Sequence, residues 1–342
     1  MLTLVWTVLI FCAIIFIHEF GHFIAAKLVG VTVHEFSIGM GPKIFGFGKK
    51  ETAYSVRILP IGGFVKLEGE DGESDDEGAL CNKKPWQKFL VLFAGGFMNF
   101  VLGFFIFIFI MSNSVITSNV IDTVHDGFEM KNQGFIKGDK IIAMEAGGKT
   151  QKIRSYNDIT LFNIKNGETD ANITVMRNGE KITKFVKVKM ADDGRKIFGF
   201  TPKILPNTFK NVIVAAFDRS IFVIKLVFLS LWWLATGKVA LTNVSGPVGI
   251  VNEINSTVSE GTFVGFLNTL SLAGLISINL GVMNLLPIPA LDGGRIFFVI
   301  VEKIIGRKIN PDKEGFVHFI GFALLMAFML FITFSDVIKL FG

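Results

Sequence analysis

Four long apolar runs constrain the fold of this chain more than any other feature of its sequence. They cover residues 2–28, 86–111, 263–291 and 316–340. Each is long enough to cross the roughly 30 Å hydrocarbon core of a bilayer as a helix, which takes about 20 residues. Hydrophobic residues make up 51% of the 342 residues and charged residues only 18%, which is low for a soluble protein. The sequence therefore predicts a polytopic α-helical membrane protein with about four transmembrane helices.

A fifth apolar run, residues 209–235, is interrupted by Asp218, Arg219 and Lys225. It can either cross the membrane or lie in the interface as an amphipathic helix. The net charge of +5 is spread through the loops, without a basic stripe and interleaved aromatics. This favours contact with membrane lipids, through anionic head groups, and argues against nucleic acid as a partner.

The first apolar run contains the HExxH motif His18-Glu19-Phe20-Gly21-His22, with no other acidic or basic side chain before Lys27. On a helix the two histidines lie one turn apart on the same face, where their ring nitrogens can bind one metal ion. Gly21 lets another backbone or a substrate approach closely. Ionisable groups at membrane depth are costly and are functional candidates by default. We therefore predict His18 and His22 as metal ligands and Glu19 as the catalytic base.

A catalytic zinc usually has three protein ligands and one open position, so the chain must contain a third ligand. Asp292 is the best candidate, because it follows the break at Pro287 and Pro289 and precedes two glycines. Unwound backbone at membrane depth is tolerated only where it is buried in protein or lines a polar cavity. The other acids in or near apolar runs lie beside interfacial charges and are expected to be ordinary: Asp218, Glu302 and Asp336.

Topology supports the pairing of His18 with Asp292. Each residue lies toward the C-terminal end of its run, so the two share a membrane depth only if both helices run in the same direction. That requires an even number of crossings before residue 263, and residues 209–235 should then lie in the interface. Basic residues follow both runs, so both loops are expected to be cytoplasmic; they are Lys27, Lys43, Lys49, Lys50 and Arg57 in one loop, and Arg295, Lys303, Arg307 and Lys308 in the other.

Two segments between the runs are predicted to contain β-structure. Residues 31–67 consist of short β-branched and aromatic pieces split by glycine and proline, which is typical of hairpins. Such a hairpin can pair with an unwound substrate by strand addition or be a plain hairpin at the membrane surface. Residues 113–205 are polar and include the hairpin turn Arg177-Asn178-Gly179-Glu180. This length is enough for one small β-rich domain, which the crossing parity places outside the cell.

Several motifs together resemble the site-2 protease family of intramembrane zinc metalloproteases, most closely its bacterial RseP-type members. They are the HExxH at residues 18–22, residues 35–42, Gly62-Gly63-Phe64-Val65-Lys66, Ser245-Gly246-Pro247-Val248-Gly249, and the NxxPxPxLDGG motif from Asn284 to Gly294. The resemblance covers nearly the whole chain. It implies a Zn²⁺ cofactor, a bacterial inner-membrane location, and cleavage of single-span membrane proteins such as anti-sigma factors or signal-peptide remnants.

The resemblance also implies one PDZ-like α+β domain in the polar insert, where Gly138-Asp139-Lys140-Ile141-Ile142 resembles a PDZ strand. Asn99 matches an asparagine of the family and is expected to bind substrate. Asn284 either hydrogen-bonds the substrate backbone or caps the unwound segment. Ala94-Gly95-Gly96 stands where many relatives carry Gly-Pro.

These expectations divide the chain into eight segments. They are the first transmembrane helix (1–30), a cytoplasmic-side β-hairpin region (31–85), the second transmembrane helix (86–112), the PDZ-like domain (113–205), an interfacial helix and connector (206–262), the third transmembrane helix with its motif (263–294), a cytoplasmic loop (295–315) and the fourth transmembrane helix (316–342).

Two other functions stay open. A metal transporter would need a polar path on both sides of the site, and an inactive adaptor would leave Glu19 unexplained.

Overall fold

A computed structural model of the chain describes residues 2–48, 51–70, 72, 74–167, 169–190, 196–259, 261–307 and 309–341. Lys49, Lys50 and Lys308, which contribute to the charge argument above, lie outside the described residues. The chain divides into two compact units. The first comprises Met1–Ile106 and Val227–Gly342, and the second comprises Phe107–Leu226.

Four helices are long and apolar enough to cross a membrane, which confirms the predicted number of candidate spans. The helices of the described chain are α1 (Leu2–Leu28), α2 (Pro85–Ser112), α3 (Glu129–Asn132), α4 (Tyr156–Asn166), α5 (Phe209–Ala235), α6 (Pro247–Ser259), α7 (Phe263–Leu285), α8 (Asp292–Ile305) and α9 (Pro311–Phe341). The four candidate spans are α1, α2, α7 and α9, and the helix over the fifth apolar run, α5, is not among them.

The prediction of a cytoplasmic loop over residues 295–315 is wrong for most of its length. Helix α8 begins at Asp292 and ends before Gly306, which adopts the left-handed conformation usual after a helix end. Helix α9 then begins at Pro311, ahead of the predicted residue 316. The continuous apolar stretch of α8, residues 296–301, is only six residues long between Arg295 and Glu302, so no long apolar run marks this helix in the sequence.

Asp336, expected to be ordinary, is a buried acceptor in the first unit. Its side chain is only 3% exposed, and its Oδ2 accepts hydrogen bonds from the backbone N–H groups of Gly246 and Gly249, both at 2.8 Å. These donors lie at the start of α6, where a helix leaves N–H groups without internal partners. Helix α6 packs through Ile254 against Ile14 of α1. Asp336 thus holds a helix that supports the one carrying the HExxH motif.

Strands β1 (Val33–Phe47) and β2 (Ala53–Leu67) form a small sheet whose register resolves into shorter pieces. Residues 33–38 pair with both 63–67 and 53–56, and residues 43–47 pair with 54–57. These are the short pieces that the glycines and prolines predict. Buried residues of the sheet pack against Ala25 and Ala26 of α1: Val33, Phe36, Val65 and Leu67.

A polar cluster fixes the register inside this sheet. Arg57 donates hydrogen bonds to Glu35 Oε1 (2.8 Å) and to the Ser37 hydroxyl (3.0 Å), and the Ser55 hydroxyl also bonds Glu35. Partial burial raises the pKa of Glu35, but the hydrogen bonds from Ser55 and Arg57 outweigh it and hold this pKa below its ordinary value. Glu35 therefore stays ionised and paired across two adjacent segments of the sheet, 33–38 and 53–57.

The second unit contains a six-stranded sheet, matching the small β-rich domain predicted for this region. The strands are β3 (Ile116–Val124), β4 (Lys140–Ala146), β5 (Lys149–Lys152), β6 (Ala171–Arg177), β7 (Glu180–Val186) and β10 (Phe200–Leu205), with β8 (Lys189–Met190) and β9 (Lys196–Ile197) forming a separate pair. The strand order is β10-β3-β4-β6-β7, and β5 pairs with β4. The turn between β6 and β7 has positive φ at Asn178 (50°) and Gly179 (90°), which confirms the predicted Asn-Gly hairpin.

Three polar contacts organise this second unit. Asp139 is fully buried and accepts hydrogen bonds from Arg177 Nε and Nη2, both at 2.7 Å, which joins the start of β4 to the end of β6. Lys225 of α5 donates to Asp158 of α4 at 2.7 Å. Asp218, also on α5, accepts from Asn157. Asp218 and Lys225, two of the charges that interrupt the fifth apolar run, are therefore paired with protein groups.

Candidate metal centre

His18, His22 and Asp292 converge on one point of the first unit. The two Nε2 atoms lie 3.2 Å apart, and each lies 3.3 Å from Asp292 Oδ2. The histidine side chains are 12% and 11% exposed and that of Asp292 is 21% exposed. Within the described residues, this is the one group of three or more His, Cys, Asp or Glu side chains that could hold a metal ion.

The donor atoms of these three residues fit a zinc ion. A tetrahedral zinc with bonds of about 2.05 Å sets its ligand atoms about 3.3 Å apart, close to the three separations seen here. Asp292 Oδ2 is buried and accepts no hydrogen bond from any described residue. A buried carboxylate oxygen in that state requires a cation or a donor. Two imidazoles and one carboxylate leave a fourth position open, as in catalytic zinc sites.

Helix α2 orients His22. The ring Nδ1 lies 2.8 Å from the backbone carbonyl of Val91, to which it donates, and this leaves the lone pair of Nε2 for a metal. A Cβ at Gly95 would approach the His22 ring to 2.6 Å at Cε1, so the site requires glycine there. Gly21 likewise admits the Ala94 backbone, whose carbonyl carbon would lie 2.8 Å from an added Cβ. The close approach predicted for Gly21 is thus made by a neighbouring helix.

The two predicted asparagines both lie beside His18. Asn99 Nδ2 is 3.3 Å from His18 Nδ1, and Asn284 Nδ2 is 3.4 Å from His18 Nε2. Asn99 is fully buried, and its Oδ1 has no hydrogen-bond partner among the described residues. Its backbone carbonyl accepts from the Ser277 hydroxyl at 2.8 Å, which ties α7 to α2.

Glu19 faces the sheet formed by β1 and β2. The Val65 backbone N–H donates a hydrogen bond to its carboxylate. A Cβ at Gly63 would lie 3.2 Å from Glu19 Cγ, so the glycine allows the strand to lie against the glutamate. His34 of β1 pairs with Glu68 and lies outside the metal centre. The 63–67 segment of β2 is therefore the part of the sheet next to the predicted base.

The loop between α7 and α8 presents Asp292 in a tightly folded turn. A Cβ at Gly293 would lie 2.5 Å from the carbonyl carbon of Leu285, and one at Gly294 would lie 2.5 Å from the carbonyl oxygen of Ile288. Ala290 adopts φ +76°, a left-handed conformation uncommon for a residue other than glycine. The two glycines after Asp292 are thus needed for the loop to fold back onto the start of α8.

Three contacts of this centre escape sequence reasoning. The Val91 carbonyl and the Val65 N–H are backbone groups, so no residue type marks them. The third is His318 of α9, whose Nδ1 accepts a hydrogen bond from the Ala290 N–H at 2.9 Å. An ionisable residue within the last apolar run is a signal that could have identified His318.

The comparisons with known proteins agree with a metal centre. The model of peptidase family M50 matches residues 6–328. A putative zinc metalloprotease of Clostridium acetobutylicum is 36% identical over 339 residues, covering 98% of this chain and 97% of the relative. A putative zinc metalloprotease of Fusobacterium nucleatum is 37% identical over 344 residues, covering 96% of each. The regulator of sigma-W protease RasP of Bacillus subtilis is 30% identical over 426 residues, covering 99% of each.

Replacing a ligand of this centre should release zinc. We expect Asp292→Ala, His18→Ala and His22→Ala to lower the zinc content of the purified protein to a small fraction of the wild-type value, because two donors hold the ion far less tightly than three. Atomic emission of the detergent-solubilised chain measures this. His34→Ala is the matched control and should keep its zinc. Full zinc content in Asp292→Ala would show that another residue is the third ligand.

Proposed function

The chain belongs to peptidase family M50, and we propose on that premise that it hydrolyses peptide bonds within the transmembrane segments of other membrane proteins. The observation that carries this proposal is the position of the metal centre. His18 and His22 lie on a helix long and apolar enough to span a membrane, and Asp292 follows another such helix by a short loop. A site at membrane depth is best suited to a substrate that also lies in the membrane.

The chain is a zinc metalloprotease, which removes the metal transporter and the inactive adaptor as alternatives. We assign His18, His22 and Asp292 as the residues that hold Zn²⁺. When bound there, zinc supplies a Lewis acid that activates water and polarises the scissile carbonyl. Glu19, next to a ligand but facing Val65, accepts the proton of the attacking water and later delivers it to the leaving amine.

The substrate is expected to lie against the 63–67 segment of β2. This segment pairs with residues 33–38 on one side, and no described strand pairs with its other side. An unpaired strand edge can add an extended peptide by backbone hydrogen bonds. A helical substrate hides its carbonyls in internal hydrogen bonds and must unwind before cleavage, so the edge would stabilise the unwound form. The contact between Glu19 and the same segment supports this choice over a plain surface hairpin.

Asn99 and Asn284 are proposed to bind the substrate backbone near His18. Asn99 offers a buried Oδ1 with no donor among the described residues, and Asn284 lies at the end of α7, where the chain unwinds. Both side chains can pair with a peptide group, which has one donor and one acceptor. The alternative for Asn284 is a cap on the unwound loop.

Single-span membrane proteins are the proposed substrate class. The name of the Bacillus subtilis relative connects that protein to regulation of sigma-W. We extend this to anti-sigma factors, or to signal-peptide remnants, as substrates of the present chain in a bacterial inner membrane. The substrate that accumulates as a truncated fragment in cells carrying an inactive variant would identify which class is correct.

We further propose that the centre lies near the cytoplasmic side and that the insert over residues 113–205 is an extracytoplasmic PDZ-like domain. Two of the four candidate spans, α1 and α2, precede α7 and α5 is not among them, which supports the even number of crossings that the parity of α1 and α7 requires. The six-stranded sheet with α4 is an α+β arrangement that can accommodate a PDZ-like fold. Binding of peptides to the purified chain is the measurement that tests the PDZ-like assignment.

The Glu19→Gln variant should lose cleavage of a model transmembrane substrate by at least about 100-fold, because it removes the general base while keeping the shape of the side chain. Zinc content should stay at the wild-type level. Glu51→Gln is the control, since Glu51 is an exposed carboxylate with a side chain that is 86% exposed. Undiminished cleavage by Glu19→Gln would remove the enzymatic role from this site.

The Asn284→Leu variant separates substrate binding from loop capping. A substrate-binding role predicts a fall in kcat/KM of about tenfold, since a buried hydrogen bond contributes about 1–3 kcal/mol when its partner is left unpaired. Zinc content and unfolding temperature should then be unchanged. A loss of zinc or of thermal stability in the same variant would favour the capping role instead.

Cysteine labelling in intact cells tests the orientation. In a background without Cys12 and Cys81, a membrane-impermeant maleimide should label Lys149→Cys in the insert. It should label Glu51→Cys only after the membrane is permeabilised. Labelling of Glu51→Cys in intact cells would invert the proposed topology.

A further inference from the structure

We propose that His318 on α9 is a positioning residue that holds the loop of Asp292 in the shape needed for metal binding. The inference rests on the proposed function, in which Asp292 is the third zinc ligand. It adds a residue of the last candidate span, distant in sequence from the HExxH and NxxPxPxLDGG motifs, to the machinery of the site.

The contact is made at the most constrained residue of the loop. Ala290 has φ +76°, and its backbone N–H donates to His318 Nδ1 at 2.9 Å. A residue other than glycine keeps such a conformation only when its surroundings hold it there. The imidazole is the group that accepts this N–H, so His318 stabilises the conformation that places Asp292 two residues later.

Neighbouring groups fix the His318 ring in the required orientation. Phe298 of α8 lies against it, with ring centroids 5.6 Å apart. The Glu314 carboxylate, one turn earlier on α9, lies 3.9 Å from Nε2. A neutral imidazole that accepts at Nδ1 carries its proton on Nε2, and a carboxylate near Nε2 favours that tautomer.

A second contact one turn along α9 holds the preceding residue of the loop. An added Cβ at Gly321 would lie 2.7 Å from the carbonyl oxygen of Pro289 and 2.8 Å from its carbonyl carbon. Glycine at 321 therefore lets the α9 backbone lie directly on the loop. Gly321 and His318 are three residues apart and share a helix face, so one face of α9 contacts both Pro289 and Ala290.

The surroundings of His318 leave room to change its side chain without overpacking. His318, Ala290 and Glu314 line a cavity of about 710 Å³ in the first unit. A substitution at 318 can therefore alter the hydrogen bond to Ala290 without forcing apart a close-packed core. Partners that orient a metal ligand contribute strongly to metal affinity although they do not touch the ion.

The test measures how tightly the full-length, detergent-solubilised protein retains zinc against increasing EDTA, with zinc determined by atomic emission. His318→Leu keeps an apolar side chain of similar size but removes the acceptor. We expect it to lose half its zinc at an EDTA concentration about tenfold lower than wild type, as for other groups that orient metal ligands. Phe316→Leu, an exposed position on the same helix, is the matched control and should retain zinc like wild type.

A pair of amide variants isolates the hydrogen bond from general effects on folding. In His318→Asn the amide oxygen can occupy the place of Nδ1, whereas in His318→Gln it reaches the place of Nε2. We expect His318→Asn to retain zinc almost as well as wild type and His318→Gln to behave like His318→Leu. Equal zinc retention by the asparagine and glutamine variants, or wild-type retention by His318→Leu, would overturn the proposal.

This design separates failure of the inference from failure of the proposed function. If Asp292→Ala keeps its zinc, the ligand assignment is wrong and the inference fails with it. If Asp292→Ala loses zinc while His318→Leu retains it, only the positioning role of His318 is wrong. Because zinc retention is measured without substrate, neither result depends on cleavage.

Discussion

The structure depends on placing ionisable side chains among apolar helices. Charged or strongly polar groups cost free energy at membrane depth unless protein groups or a metal satisfy them. Here the Nε2 atoms of His18 and His22 lie beside the Asp292 carboxylate, while Nδ1 of His22 faces the Val91 carbonyl and Nδ1 of His18 faces Asn99. One metal ion would bind all three donor atoms at once. A single ion can therefore satisfy all three side chains, provided that the helices that supply them pack closely.

Close meeting of helices requires glycine, since lipid provides little hydrophobic driving force between spans and packing must be tight. Gly21 admits the α2 backbone, Gly95 admits the His22 ring, and Gly96 and Gly281 lie against each other between α2 and α7. Each contact would be blocked by a single added carbon. Helix α2 carries none of the three proposed metal ligands, yet its glycines determine how closely α1 and α7 can pack against it.

The sequence was most informative where chemistry is marked by residue type and spacing. The HExxH motif, the proline break before Asp292 and crossing parity predict that His18 and His22 lie beside Asp292, as the structure has them. The glycines of residues 31–67 likewise predict the short β-pieces. Helix α8 is not predicted because only six consecutive apolar residues, 296–301, lie between its charged residues. The hydrogen bonds of Asp218 and Asp336 are not predictable from the sequence, because their partners, Asn157 in one case and backbone N–H groups in the other, are set by tertiary structure. Backbone contacts such as that of Val65 with Glu19 carry no signature in residue type at all.

Helix α9 shows how a largely exposed candidate span can still determine the geometry of the site. Its two inward polar side chains, His318 and Asp336, each accept backbone N–H groups from other segments of the first unit. They are eighteen positions apart, which corresponds to five turns, or roughly 27 Å along the helix. One contact fixes the loop that carries Asp292, and the other fixes the start of α6, which packs on α1. These two contacts restrict sliding and rotation of α9. The loop that carries Asp292 and, through α6, the helix that carries His18 and His22 are thus both positioned by α9.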